Sequence, residues 1–144
     1  MGLDMYLVGK RYLMDSERSD TLNKAAGTTS KFPVEKVVVE VGTWRKANAI
    51  HRWFVNTVQE GIDNCEEHSV SRSQLQELLA LCKRVHGFKH LADAQLPTTS
   101  GFFFGSTDID DWYYSYVQQT IDILEAALNA PELEKFDFYY RSSW

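Results

Sequence analysis

Leu3, Met5 and Leu7 alternate with Asp4, Tyr6 and Val8, a period of two that predicts a first strand. Lys36 to Val41 repeats the pattern, with Val37, Val39 and Val41 on one face and Lys36 and Glu40 flanking Val38 on the other. The closing FDFYYRSSW sets Phe136, Phe138 and Tyr140 against Asp137, Tyr139 and Arg141 and predicts a last strand. Between these the period changes. Gly42 and Thr43 break the second strand, and Thr43 is a suitable helix N-cap. Ala47, Ile50, His51, Phe54, Val55, Val58 and Ile62 then predict a helix from Trp44 to Gln59. Ser71 and Gln74 make a capping box for a second helix, whose buried stripe is Leu75, Leu78, Leu79, Cys82 and Val85. Gly87 stops it, and His86 suits its C-terminal dipole when charged.

A third helix is expected with Thr107 as cap and Asp108, Asp110 and Asp111 in its first turn. Its stripe is Ile109, Trp112, Tyr113, Tyr116, Val117, Ile121, Leu124 and Leu128, and Pro131 follows its end. The polar stretch Asp15 to Lys31, with Gly27, reads as a flexible loop over 15–33. The pattern predicts an α+β fold: a small antiparallel sheet of three to four strands with three helices packed on one face. The first and last strands are expected to pair, while strand order stays open. One domain spans 1–144, in keeping with the length and an apolar content of 44%.

A net charge of −5 argues against general nucleic-acid binding, which needs Lys and Arg against phosphates. No apolar run reaches the ~18 residues of a membrane span. The opening MGLDMYLVGK lacks a secretion signal's apolar core, so a soluble intracellular protein is expected. Cys65 and Cys82 match no metal spacing and read as reduced thiols. No phosphate loop, dinucleotide fingerprint, zinc-protease or nucleophile-elbow motif occurs, and His51, His68, His86 and His90 have no metal-ligand spacing. No cofactor, metal or catalytic residue is therefore assigned.

Candidate chemistry gathers in two segments. In Gly42-Thr43-Trp44-Arg45-Lys46, two cations fall in the expected first turn of a helix, where the dipole disfavours them by a few tenths to ~1 kcal/mol each. A bound phosphate or carboxylate would reverse that sign. The plain alternative pairs Arg45 and Lys46 with Asp108, Asp110 and Asp111, or leaves both solvated. Asn48 and His51 share a face with Trp44 on that helix. His51 is either a core histidine bonded to a carbonyl or a polar group lining a pocket. In the second segment, Gly101-Phe102-Phe103-Phe104-Gly105 is either a short buried strand or a shelf that lets backbone approach a ligand. Ser100, Ser106 and Thr107 add hydroxyls beside it. Phe103 and Tyr113 are rings on which a base would stack, worth ~1–3 kcal/mol per base.

MGLDMYL, WRKANAIHRWFV, SGFFFGST and FYYRSSW, taken in order, resemble segments of a family of small uncharacterised bacteriophage and prophage proteins. The stretch Asp15 to Lys31 is not covered. The resemblance implies phage origin, a host-cytoplasmic setting and an accessory role against host defence, and it carries over no catalytic residue.

Two functions are expected. The first is sequestration of an anionic, nucleotide-like small molecule by Trp44, Arg45, Lys46, Asn48, His51, Ser100, Phe103, Tyr113, Tyr140 and Arg141. The second is inhibition of a host protein through Asp108 to Trp112 and the acidic stretch Asp63 to Glu67. A weaker third is hydrolysis with His51 as general base. Trp53 lies off its helix stripe and, with the aromatic surplus, leads to an expected homo-oligomer; neither nucleic acid nor membrane is expected as a partner.

Overall fold

The computed structural model describes residues 2–101 and 103–144. Four antiparallel strands form one sheet: β1 (Asp4–Tyr12), β2 (Lys36–Arg45), β3 (His68–Val70) and β4 (Asp137–Ser143), in the order β2-β1-β4-β3. The fold is α+β, and the first and last strands pair as expected. Alternation decides the two faces. Met5 sits between Trp44 and Ser142, and Leu7 between Gly42 and Tyr140, all buried. Tyr6, Val8, Lys10, Tyr139 and Arg141 point the other way, onto the more exposed face. Each large apolar side chain buried on the inner face contributes ~1.5–3 kcal/mol.

Three long helices cover that inner face: α2 (Asn48–Val58), α3 (Arg72–Gly87) and α5 (Asp111–Leu128). Phe54, Leu75, Leu78, Val85, Tyr113, Val117 and Leu124 join Leu3, Met5, Leu7, Phe138 and Tyr140 in one core. The α3 capping box forms as the sequence indicates, with Gln74 N–H donating to Ser71 Oγ and Ser71 N–H to Gln74 Oε1, both at 3.0 Å. Two short helices complete the set, α1 (Asp20–Ala25) and α4 (Ala92–Gln95). The stretch expected as a loop thus holds a 3-10 turn at Asp15–Glu17 and α1, which Ser19 caps by accepting from Leu22 N–H.

Three local expectations need correction. First, β2 continues through Gly42 and Thr43 to Arg45, and α2 begins only at Asn48. Gly42 does not break the strand. It is where α5 comes closest, since a Cβ there would lie 2.5 Å from Ile123 Cγ2. Glycine inside a strand marks a close approach here. Arg45 and Lys46 therefore precede the helix, and the dipole argument for an anion at its first turn does not hold. Arg45 pairs with Asp4 at 3.0 Å. Second, the cap of α5 is Asp110, whose side chain accepts from Tyr113 N–H, so Thr107 and Asp108 lie outside the helix. Trp112 leaves the buried stripe and stands 51% exposed. Third, the described residues of 101–105 form no strand; Phe102 lies outside the described residues.

Gly42→Ala is expected to destabilise by about 1–3 kcal/mol through overpacking against Ile123. The loss is expected to shrink in an Ile123→Ala background, where the crowding Cγ2 is gone, read as the Tm of each single and the double variant.

Candidate functional site

The most conspicuous polar residues of the core belong to one chain of hydrogen bonds. His51, on α2, is fully buried, with Nδ1 2.6 Å from Tyr140 Oη and Nε2 2.9 Å from Asp63 Oδ2. A carboxylate only accepts, so Nε2 carries the proton and Nδ1 accepts the Tyr140 hydroxyl. Trp144 Nε1–H donates to the other Asp63 oxygen at 3.0 Å. Phe54 stacks on Tyr140 with centroids 3.9 Å apart, and Phe104 meets the imidazole edge-on at 5.3 Å. The partners of His51 are a hydroxyl and a carboxylate, in place of the expected carbonyl. Both ring nitrogens are occupied and neither reaches solvent, so His51 is not placed to act as a general base in this conformation. Burial lowers the His51 pKa below its ordinary value, against the opposing pull of Asp63. Burial also pushes the Tyr140 hydroxyl well above its own.

A second set of bonds straps the segment after α4 onto the molecule. Asn48 is buried at the first position of α2. Its Nδ2 donates to the carbonyls of Phe104 and Ser106 at 3.1 and 2.9 Å, and its Oδ1 accepts from Thr99 N–H at 3.1 Å. Leu3 N–H donates to the Phe103 carbonyl, and the Leu3 carbonyl accepts from Lys46 N–H. The strap inserts Phe104 into the core and leaves Phe103 50% exposed. Lys46 and Phe103 both hold left-handed backbone, with φ of 55° and 61°, beside Gly105 at 89°. Non-glycine residues held there cost of order 1 kcal/mol or more and persist because their surroundings enforce them.

The ten residues expected to form one ligand site thus separate. Trp44, Asn48, His51, Tyr113 and Tyr140 are internal. Trp44 Nε1–H donates to Thr120 Oγ1 at 2.8 Å, and the Tyr113 hydroxyl to the Leu96 carbonyl at 2.7 Å. Arg45, Lys46, Ser100, Phe103 and Arg141 reach the surface. The fold brings four of these to one end of the sheet: Lys46 and Phe103 both bind the Leu3 backbone, Arg45 pairs with Asp4 one residue on, and Arg141 lies opposite Tyr6. The Arg141 guanidinium lies over the Tyr6 ring, 4.3 Å from its centroid.

Sequence reasoning placed Asp63 only in an acidic surface contact and gave Trp144 and Tyr6 no place in a site. Asp63 and Trp144 carry no local signal, because their bonds to His51 and to each other exist only in the folded chain. Tyr6 was readable: in a strand whose Leu3, Met5 and Leu7 face inward, it must face out. No protein-family model, curated protein or solved structure matches the chain. No helix among the described residues is long and apolar enough to cross a membrane, and no cluster of metal-ligating side chains occurs among them.

Asn48→Ala leaves two carbonyls and one N–H of the strap without their partner. A loss of about 2–3 kcal/mol is expected, with hydrogen exchange rising first over residues 99–106. The His51 pKa is lowered on folding, so its contribution is complete above the unfolded value near 6.5 and is lost as pH falls through the folded one. Tm is therefore expected to drop as pH falls below about 6.5, and to drop less steeply in His51→Gln.

Proposed function

We propose that the protein binds an anionic, ring-bearing ligand of nucleotide-like chemistry at the end of the sheet formed by Arg45, Lys46, Phe103, Tyr6 and Arg141, and holds it without breaking a bond. The observation that carries this reading is the strap. It keeps two residues in left-handed backbone and a phenylalanine half exposed, beside cations on an otherwise acidic chain. Arg45, Lys46 and Arg141 supply charge for phosphate, and Phe103 or the Tyr6–Arg141 pair supplies a face for a base. Asp4 holds Arg45 in the free protein, so a phosphate must displace it, and affinity falls as salt rises. The occupied nitrogens of His51 support sequestration over hydrolysis.

The resemblance to small phage proteins supports placing this activity in an infected bacterium, as an accessory function against a nucleotide-like defence signal. A second reading, inhibition of a host protein, is favoured by exposed Trp112 beside Asp108 and Asp111 at the start of α5. The alternative acidic contact is less available, since Asp63 is bonded to His51 and Trp144, and Glu67 pairs with Lys10.

Native mass spectrometry with a panel of linear and cyclic mono- and dinucleotides tests the proposal. A retained adduct, released with unchanged mass on denaturation, is expected. Arg45→Ala with Lys46→Ala should weaken it about tenfold or more, the scale of one lost charge-assisted hydrogen bond. No adduct across the panel, with the fold intact by circular dichroism, overturns it. Stoichiometric binding of a host protein that Trp112→Ala abolishes would then support the second reading.

A further inference from the structure

β2 is an edge strand, and an edge normally offers its unpaired N–H and C=O groups to any extended chain unless something blunts it. Its two halves differ in this respect. Over Gly42–Arg45 the helix α5 shields the strand: Ile123 packs on Gly42, and Gln119 Nε2–H donates to the Thr43 carbonyl at 2.9 Å. An irregularity in the β1 register between Leu7 and Val8, opposite Val41, separates this half from the other. Over Lys36–Glu40 the strand pairs regularly with β1, from Tyr12↔Lys36 to Val8↔Glu40. On its outer side no strand lies against it among the described residues.

The side chains of that half are Lys36, Val37, Val38, Val39 and Glu40. Lys36, Val38 and Glu40 face the open side of the sheet, and Val38 is 51% exposed. Val37 and Val39 face the helix side and are half-buried. Neither Lys36 nor Glu40 has an ion-pair partner among the described residues; Lys36 Nζ lies over the ring of Tyr12, itself 62% exposed.

This order of residues is self-complementary. In an antiparallel pair about a two-fold axis through Val38, perpendicular to the sheet, Val38 meets Val38 of the second copy. Each Val37 meets a Val39 and each Lys36 a Glu40. Opposite charges directly across an antiparallel pair stabilise it, and like charges destabilise it. Shifting the axis to Glu40 sets glutamate on glutamate, and shifting it to Lys36 sets lysine on lysine. The charges that blunt a lone edge against unrelated strands therefore favour the register centred on Val38, which sets both Lys36–Glu40 pairs opposite each other.

We propose that the outer edge of β2 over Lys36–Glu40 is a homodimer interface, in which two copies of this chain join their sheets through antiparallel β2–β2 pairing centred on Val38. The contact is isologous, as closed two-fold symmetry requires. A five-residue ladder is short, so the dimer forms reversibly with concentration. It needs no ligand and leaves Arg45, at the far end of β2, outside the paired segment. Trp53, from which an oligomer was expected on sequence grounds, packs edge-on against Phe54 at the margin of the core and has no part in it.

Sedimentation equilibrium of the full chain over a range of concentrations tests this, with circular dichroism on each variant. The wild type is expected to show a monomer–dimer equilibrium. Lys36→Glu alone and Glu40→Lys alone each turn two attractive pairs into two repulsive ones and should raise the dimer Kd about tenfold or more. The double swap Lys36→Glu with Glu40→Lys restores the pairing in the same register and should return Kd to within about threefold of wild type. Folded wild type that stays monomeric throughout overturns the proposal. So does a dimer indifferent to the single swaps, or one that the double swap fails to restore. Because no nucleotide is present, failure here is separate from failure of the ligand reading.

Discussion

A buried imidazole can donate one hydrogen bond and accept another only while it is neutral, and His51 does both in the middle of the core. That requirement governs much of the structure around it. Asp63 must be drawn in from the segment after α2 to accept the Nε2 proton, and Tyr140 must stand on the inner face of β4 to give its own to Nδ1. Trp144 then closes over Asp63 and meets Phe104 edge-on, with centroids 6.0 Å apart. Helix α2, the 59–67 segment, the last strand and the strap after α4 are therefore joined through one small polar chain. Removing Tyr140 or Asp63 leaves the buried imidazole without a partner, which costs more than the bond itself contributes.

The same chain sets where the protein can meet other molecules. With His51, Tyr140, Trp44, Tyr113 and Asn48 committed to internal bonds, most of the conspicuous aromatic and polar residues hold the fold together. What remains available is the rim. At one end of the sheet, Asn48 anchors the strap so that Phe103 faces outward beside Lys46 and Arg45. At the other end, the outer edge of β2 presents an alternating strand with opposite charges on either side of Val38.

The sequence was most legible where local physics and tertiary packing agree. The Ser71–Gln74 box forms as written, because a capping box is satisfied within four residues. The inner faces of β1 and β4 follow strict alternation, and α+β follows from their combination with three helical stripes. The reading failed where a residue's meaning depends on what lies opposite. Gly42 reads as a breaker, yet it sits inside a strand because Ile123 needs the space of its missing side chain. That one misreading moved Arg45 and Lys46 into a helix and created an anion site from a dipole they do not face. Thr107 reads as the cap, but Asp110 takes that place three residues later, with the Tyr113 hydroxyl donating to the Leu96 carbonyl. The Asp63–Trp144 contact spans 81 positions and leaves no trace in either segment.

Whether His51 is a fixed part of the core or a chemical group decides where function lies, and its imidazole nitrogen-15 shifts answer that directly. A single neutral tautomer is expected at pH 7, with Nε2 protonated, Nδ1 bare, and slow exchange of the Nε2 proton with solvent. An imidazolium, a mixture of tautomers or a rapidly exchanging proton would contradict it, and would return His51 to the list of groups a ligand or substrate can reach.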